Sequence, residues 1–98
     1  MYARLTRIHV DTADVDRTVK LYKQYVVPAA KSQKGFLGIS LMADKKSGKG
    51  ISLTFWESED DALANEANQY YQEQLVKFMS FFKTPPIREG YEILVKEE

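Results

Sequence analysis

Few side chains in this 98-residue chain can carry out acid–base chemistry at neutral pH. His9 is the single histidine, and histidine is the side chain that titrates near neutrality without special tuning. Arg7 precedes it by two residues, so the two side chains share one face if the segment is a strand. Two roles stay open for His9: a proton acceptor or substrate-orienting group in a cavity, or a rim or interface histidine with one hydrogen bond.

A second group of polar and aromatic residues could line a pocket. Asn65 lies near the start of a predicted helix, and helix interiors disfavour asparagine, so a sheet-facing Asn65 could hydrogen-bond a ligand carbonyl. Trp56 can stack on a flat ligand ring or fill space in the core. Tyr22, with Tyr70 or Tyr71, can line a pocket or pack against its neighbours without a ligand. The predicted site has these candidate catalytic and substrate-binding residues: His9, Arg7 and Asn65, and Trp56, Tyr22 and Tyr70.

The composition excludes several classes of partner. Lys and Arg number 14, as do Asp and Glu, so the basic excess typical of nucleic-acid binding is missing. No apolar run approaches the roughly 20 residues that cross a bilayer. The lack of cysteine fits a reducing compartment. We therefore expect a cytoplasmic protein without a nucleic-acid or membrane partner.

Four carboxylates between residues 57 and 61 are more typical of a helix start than of a metal site. Ser58 is a predicted N-cap, and acidic side chains near it favour the positive end of the helix dipole. No histidine stands nearby to complete a set of metal ligands. We predict neither a metal nor a cofactor.

The elements that position these residues follow from hydrophobic periodicity. A first strand is predicted from Tyr2 to Val10. Apolar residues at steps of four, three and four then predict an amphipathic helix, which Pro28 is expected to kink or end: Val15, Val19, Tyr22 and Val26. Two strands follow, joined by a turn over residues 44–49 in which Gly48 can adopt a positive φ.

The second half of the chain predicts one long helix and a last strand. The helix begins at Ser58 and would reach Lys83, so a break is expected near Tyr70 to Glu73. The alternation of Tyr91, Ile93 and Val95 marks the last strand. The order β-α-β-β-α-β predicts one ferredoxin-like α+β domain over residues 1–98, with a four-stranded antiparallel sheet and helices on one face. The first and third strands are then central, and the second is an edge.

The second and third strands are apolar on both faces. On the second strand, Phe36 and Met42 are predicted to point one way and Leu37, Ile39 and Leu41 the other. Such a sheet needs two covers, and the helices supply one. We therefore expect a homodimer through the uncovered sheet face, which closes a dimeric α+β barrel.

Several segments, taken in order, resemble the antibiotic biosynthesis monooxygenase family of dimeric α+β barrel proteins. They are Val27-Pro28-Ala29, Gly35-Phe36 with Gly38, Asp44 with Gly48, Phe55-Trp56-Glu57-Ser58-Glu59, and Tyr91-Glu92-Ile93. The resemblance implies a cofactor-independent monooxygenase, or a related small oxidoreductase, acting on an aromatic or phenolic small molecule. The alternative is a non-catalytic dimer that binds a small ligand or serves as a scaffold.

The haem-degrading branch of that family has an asparagine in the first strand, a tryptophan in the second helix and a histidine beyond it. This chain has Thr6 and Arg7 at the first place and Asn65 near the second. No histidine occurs between Gln69 and Leu75. The resemblance therefore does not extend to haem degradation.

Overall fold

The four strands form one sheet in the order β2-β3-β1-β4 in the computed structural model, which describes residues 1–98. They are β1 (Tyr2–His9), β2 (Phe36–Ala43), β3 (Lys49–Trp56) and β4 (Ile87–Glu92). All neighbouring strands are antiparallel, and β1 and β3 are central. The helices pack on one face of this sheet. The predicted ferredoxin-like α+β fold is therefore confirmed.

The first helical segment passes through Pro28 without ending. Helix α1 (Val15–Leu21) continues as a π-helical turn (Tyr22–Val26) and then as α2 (Val27–Lys31). In a regular α-helix the Pro28 ring would meet the carbonyl of Gln24, four residues earlier. The wider turn relieves this conflict, because the Val27 N–H donates to the Tyr22 carbonyl five residues back.

The second helical segment breaks at Asn68, slightly earlier than the predicted region. It consists of α3 (Glu59–Ala67) and α4 (Gln69–Val76). Asn68 is extended, with φ −69° and ψ 121°, and its side chain accepts a hydrogen bond from the Tyr71 N–H at 3.0 Å. Asparagine at an N-cap thus starts a new helix here. A 3₁₀ turn (Met79–Phe81) replaces the expected continuation to Lys83.

The last strand lies earlier in the chain than its predicted position at Tyr91 to Val95. It pairs with β1 from Arg7 opposite Ile87 to Tyr2 opposite Glu92. Beyond Glu92 one further bond joins the Ile93 N–H to the Met1 carbonyl. The strand ends here because β1 has no further residues to pair with, although the apolar alternation of the sequence continues.

A β-bulge corrects the predicted facing of β2. Phe36 pairs with Trp56, but Gly38 pairs with Phe55, so the register shifts between Phe36 and Gly38. The extra residue brings Phe36 onto the same face as Ile39 and Leu41, packed against the helices. The prediction that Phe36 shares a face with Met42 is therefore wrong.

The core lies between the sheet and the helices. Its larger cluster joins the first helical segment to α4 and to the turn after it, through Tyr22, Val26, Ala29, Ala30, Tyr71 and Phe78. A smaller cluster contains Tyr2, Trp56 and Ala62. The opposite face of the sheet, called the open face here, carries the side chains of Leu5, Leu53 and Phe55, none of which is buried. None of the helices is long and apolar enough to cross a bilayer.

Candidate functional site

A cavity of about 330 Å³ lies between the sheet and the helices and is called the helix-side cavity. Its floor is formed by β1 and β3, through Arg4, Thr6 and Ser52 among others. Its walls come from the first helical segment, α3, α4 and the chain after α4. Even-numbered residues of β1 reach it because side chains alternate along a strand.

The side-chain oxygen of Asn65 is the buried polar atom of this cavity that lacks a partner. The residue is 3% exposed, and its Oδ1 forms no hydrogen bond. A buried carbonyl oxygen without a donor costs about 1–3 kcal/mol, so it needs an explanation. A ligand hydroxyl or N–H that enters the cavity would supply the missing donor.

Tyr22 reaches from the π-helical turn to β3. Its hydroxyl lies 2.6 Å from Ser52 Oγ, and its ring meets that of Phe78 edge to face at 6.5 Å between centroids. Burial raises the pKa of the Tyr22 phenol, and the hydrogen bond to Ser52 opposes this only in part. Tyr22 is therefore a neutral hydrogen-bonding group at physiological pH.

Tyr71, rather than Tyr70, is the α4 tyrosine that lines the cavity. Tyr71 is 6% exposed, whereas Tyr70 is 54% exposed and lies outside the cavity. Burial raises the pKa of the Tyr71 phenol, while a hydrogen bond with Asn65 and the positive charge of Arg88 act in the opposite direction. The position of the helix break at Asn68 decides which of the two tyrosines faces inward.

Three charged side chains line the helix-side cavity. The Arg4 Nε donates to Glu66 Oε1 at 2.6 Å, and both side chains are about four-fifths shielded from solvent. This hydrogen bond raises the pKa of the Arg4 guanidinium, against the opposing effect of burial. Arg88, the third, forms neither an ion pair nor a side-chain hydrogen bond.

His9 and Arg7 lie on the open face, on the far side of the sheet from this cavity. They line a second, shallow depression of about 480 Å³, called the open-face cavity, together with Met42 and Lys49. The His9 Nε2 lies 3.0 Å from the Ser47 carbonyl oxygen, and the Arg7 Nε donates to Glu89 Oε1 at 2.7 Å. The sequence had left open which face carries this pair.

Trp56 packs beneath the helices as a core residue. Its side chain is fully buried, its Nε1 donates to Thr54 Oγ1 at 2.8 Å, and its ring meets Phe36 edge to face at 5.9 Å. It does not line either cavity. Of the six candidates from the sequence, the helix-side cavity brings together Tyr22 and Asn65.

The sequence reasoning missed Arg4, Glu66, Ser52 and Arg88 as members of the site. Arg4 carried a usable signal, because it shares a strand face with Tyr2, Thr6 and the apolar Ile8, away from His9. Glu66 follows Asn65 directly, but predicting that it lines the cavity requires knowing which side of α3 faces the sheet. No group of three or more metal-ligating side chains is placed to hold a metal ion.

Comparison with known proteins places the fold in a family. Residues 1–74 match the family model described as antibiotic biosynthesis monooxygenase. The Mycobacterium tuberculosis (strain ATCC 25618 / H37Rv) protein Rv2557, described as uncharacterized, is 32% identical over 60 residues, which are 61% of this chain and 27% of that protein. The chain thus spans about a quarter of the length of this curated relative.

Two solved structures show the same architecture at low sequence identity. Rv0793 from Mycobacterium tuberculosis has a TM-score of 0.78 and 11% identity, covering 99% of this chain and 98% of its own. A mutant of SnoaB, a cofactor-independent oxygenase from Streptomyces nogalater, has a TM-score of 0.79 and 10% identity, covering 97% and 94%. With the family match over most of its length, the chain belongs to the antibiotic biosynthesis monooxygenase family.

Proposed function

We propose that the chain is a cofactor-independent oxygenase that binds an aromatic, phenolic small molecule in the helix-side cavity. The observation that carries the proposal is the unpartnered Oδ1 of Asn65, since a phenolic hydroxyl is the kind of donor it lacks. Family membership and the fold shared with SnoaB support the reaction type. The proposed substrate class is argued from the residues that line the cavity.

The walls of the cavity suit a flat ring. Leu75, Phe78 and Phe82 contribute apolar surface, while Tyr22 and Tyr71 present neutral hydroxyls. Aromatic rings gain from edge and face contacts of this kind. The inner end of the cavity, at Tyr22, Asn65 and Tyr71, is buried, so a group held there is shielded from bulk water, which strengthens each hydrogen bond to it.

Glu66 is the group we propose as proton acceptor. It is the one carboxylate among the cavity residues, and Arg4 holds its Oε1 while its Oε2 forms no hydrogen bond within the protein. A positioned carboxylate next to an acidic C–H or O–H of the substrate can remove that proton. His9, on the other face of the sheet, cannot reach the same substrate.

The proposed reaction balances without a cofactor. A substrate of the anthrone type loses a proton to Glu66, and its carbanion transfers electrons to O₂ and forms a carbon–oxygen bond. The peroxide takes up the proton held by Glu66, and Glu66 then removes the second C–H proton as the O–O bond breaks, so one oxygen stays in a new carbonyl group and the other leaves, with that proton, as water. The ring CH₂ is oxidised to C=O and O₂ is reduced by four electrons. The protein contributes orientation and proton transfer.

We also propose that the chain acts as a homodimer through the open face. Leu5, Leu53 and Phe55 form an apolar strip on that face, and Met42 beside them is 48% exposed. Contiguous apolar surface of this kind is typical of an interaction site. A second copy would cover it as the helices cover the opposite face.

Oxygen uptake tests the reaction. We expect uptake with a panel of anthrones and hydroquinones, and a rate reduced by about 10²-fold or more in Glu66→Gln, a loss typical of removing a general base. Asn65→Leu should raise KM more than it lowers kcat. Binding without uptake by the wild-type protein would instead support the ligand-binding alternative.

A His9→Ala variant measured in parallel separates the two faces of the sheet. If its rate falls while that of Glu66→Gln does not, the reaction takes place at the open face, and the proposal for the helix-side cavity is contradicted.

A further inference from the structure

We propose that the ligand of the helix-side cavity carries a negatively charged acid group, and that Arg88 binds it. This inference rests on the proposed function, because it names the substrate class of the same cavity. Two observations carry it: the balance of charges around the cavity and the position of Arg88 on the sheet.

The balance of charges leaves one cation without a partner. Arg4 and Glu66 form an ion pair at 2.6 Å, so their charges cancel. The Arg88 guanidinium has no carboxylate within ion-pair distance, since the four ion pairs of the chain involve other residues. The net positive charge of the cavity therefore lies at its exposed edge, where Arg88 stands.

The register of β4 directs Arg88 to this cavity. Arg88 stands opposite Thr6 in the ladder between β1 and β4, and Thr6 lines the cavity floor. Neighbouring Glu89 faces the other way and binds Arg7 on the open face, so it is not available to Arg88. The charge of Arg88 also acts on the interior, because it lowers the pKa of the buried Tyr71 phenol against the effect of burial.

The chemistry of the guanidinium favours an organic acid. Arginine offers several N–H donors in a planar fork that matches a carboxylate or sulfonate with two parallel hydrogen bonds. Phe82 and Pro86, near Arg88 in sequence, line the same cavity and provide apolar surface for the ring that bears the acid. The ligand class is thus an aromatic acid, with its charged group at Arg88 and its ring between the sheet and the helices.

A pair of fluorescent probes tests the charge requirement without turnover. Anilinonaphthalene sulfonate and phenylnaphthylamine share an aromatic body, and the first adds a sulfonate. We expect the wild-type protein to bind the sulfonate about tenfold more tightly than its uncharged parent, as one charge-assisted pair allows. Arg88→Gln should remove this preference and leave the affinity for the neutral probe unchanged, while Arg88→Lys should keep part of it.

Two matched variants locate the bound anion. Arg17→Gln removes an arginine that lies over the Phe81 ring, outside the cavity, and Lys49→Gln removes a cation from the open-face cavity. Both should retain the preference for the sulfonate. Equal binding of the two probes by the wild-type protein, binding of neither, or loss of the preference in Lys49→Gln would overturn the inference. A selective probe site without oxygen uptake would contradict the proposed reaction alone.

Discussion

The hydroxyl of Tyr22 and the Oγ of Ser52, 2.6 Å apart, join the π-helical turn to the middle of β3. Both groups line the helix-side cavity, Tyr22 in its wall and Ser52 in its floor, and each supplies the hydrogen bond that the other needs there. The contact fixes the depth of the cavity, because it sets how closely the first helical segment approaches the sheet.

Stability should fall at alkaline pH because of Tyr22 and Tyr71, the two buried tyrosines of the helix-side cavity. Burial raises the pKa of Tyr22 and of Tyr71 above the ordinary value of 10.0. Their contribution is fully present below pH 10, and it is lost as pH rises towards the folded-state pKa, because the unfolded chain releases these protons first. Urea unfolding between about pH 8 and 11 should show the decline, and Tyr22→Phe should make it shallower.

Tyr70→Phe is the control for this profile, since Tyr70 is exposed. Tyr22→Phe should also lower the free energy of unfolding at pH 7 by about 1 kcal/mol, because Ser52 loses its partner. An alkaline decline of equal steepness in wild type and Tyr22→Phe would show that Tyr22 does not contribute to it.

Asn65→Leu should separate stability from ligand binding. The substitution removes the unpartnered buried oxygen, which offsets the loss of the hydrogen bond to Tyr71, so we expect the free energy of unfolding to stay within about 1 kcal/mol of wild type. Asn68→Leu is the matched control, because Asn68 caps α4 and its loss should cost about 1 kcal/mol. Denaturation at neutral pH measures both. A loss of several kcal/mol in Asn65→Leu would mark Asn65 as a structural residue instead.

Gly48 should not tolerate a side chain. Its φ is 79°, and an added Cβ would collide with the carbonyl oxygen of Val10 across the turn. Gly48→Ala should therefore lower the free energy of unfolding by about 2 kcal/mol or more. Gly38→Ala provides the comparison, because a Cβ there meets only the Phe55 ring at 3.5 Å, an ordinary contact. Equal melting temperatures for the two variants would contradict this account of the turn.

A charge on the open face should prevent dimerisation. Leu53 lies on β3 between Leu5 and Ser40 of the neighbouring strands, so Leu53→Lys places an ammonium group in the proposed interface. Sedimentation velocity should show a dimer for wild type and a monomer for this variant. Leu63→Lys, on exposed surface of α3, should remain dimeric. A monomeric wild-type protein would contradict the dimer directly.

The fold was predictable because its signals are local. Alternation in β1 and β3, the turn glycine at residue 48 and the Ser58 cap each act within a few residues. Two predictions were wrong where the pairing of strands, and not the hydrophobic alternation of the sequence, determines the structure. The bulge beside Phe36 depends on the neighbouring strand, and β4 ends at Glu92 because β1 begins at Tyr2.

The site was less predictable, because the sequence pattern does not determine which sheet face the helices cover or which helical residues face inward. Alternation groups Arg7 with His9, yet it does not say which face the helices cover. The choice between Tyr70 and Tyr71 depends on the helix restarting at Asn68, where a shift of one residue rotates the inward face. Tyr22 and Asn65 could be predicted, because the helical spacing that points them towards the sheet agrees with their burial in the structure.

The π-helical turn before Pro28 makes the first helical segment sensitive to length. Each of its wide hydrogen-bonded rings holds one residue more than an α-helical ring, so α1 and α2 are rotated by about 100° from a continuous α-helix. Deleting one residue here would impose regular winding, bring the Pro28 ring against a backbone carbonyl, and turn Tyr22 away from Ser52 while Ala29 and Ala30 keep their places in the core. In this segment an insertion or deletion, more than any substitution, would re-aim the phenol and change which ligands the cavity admits.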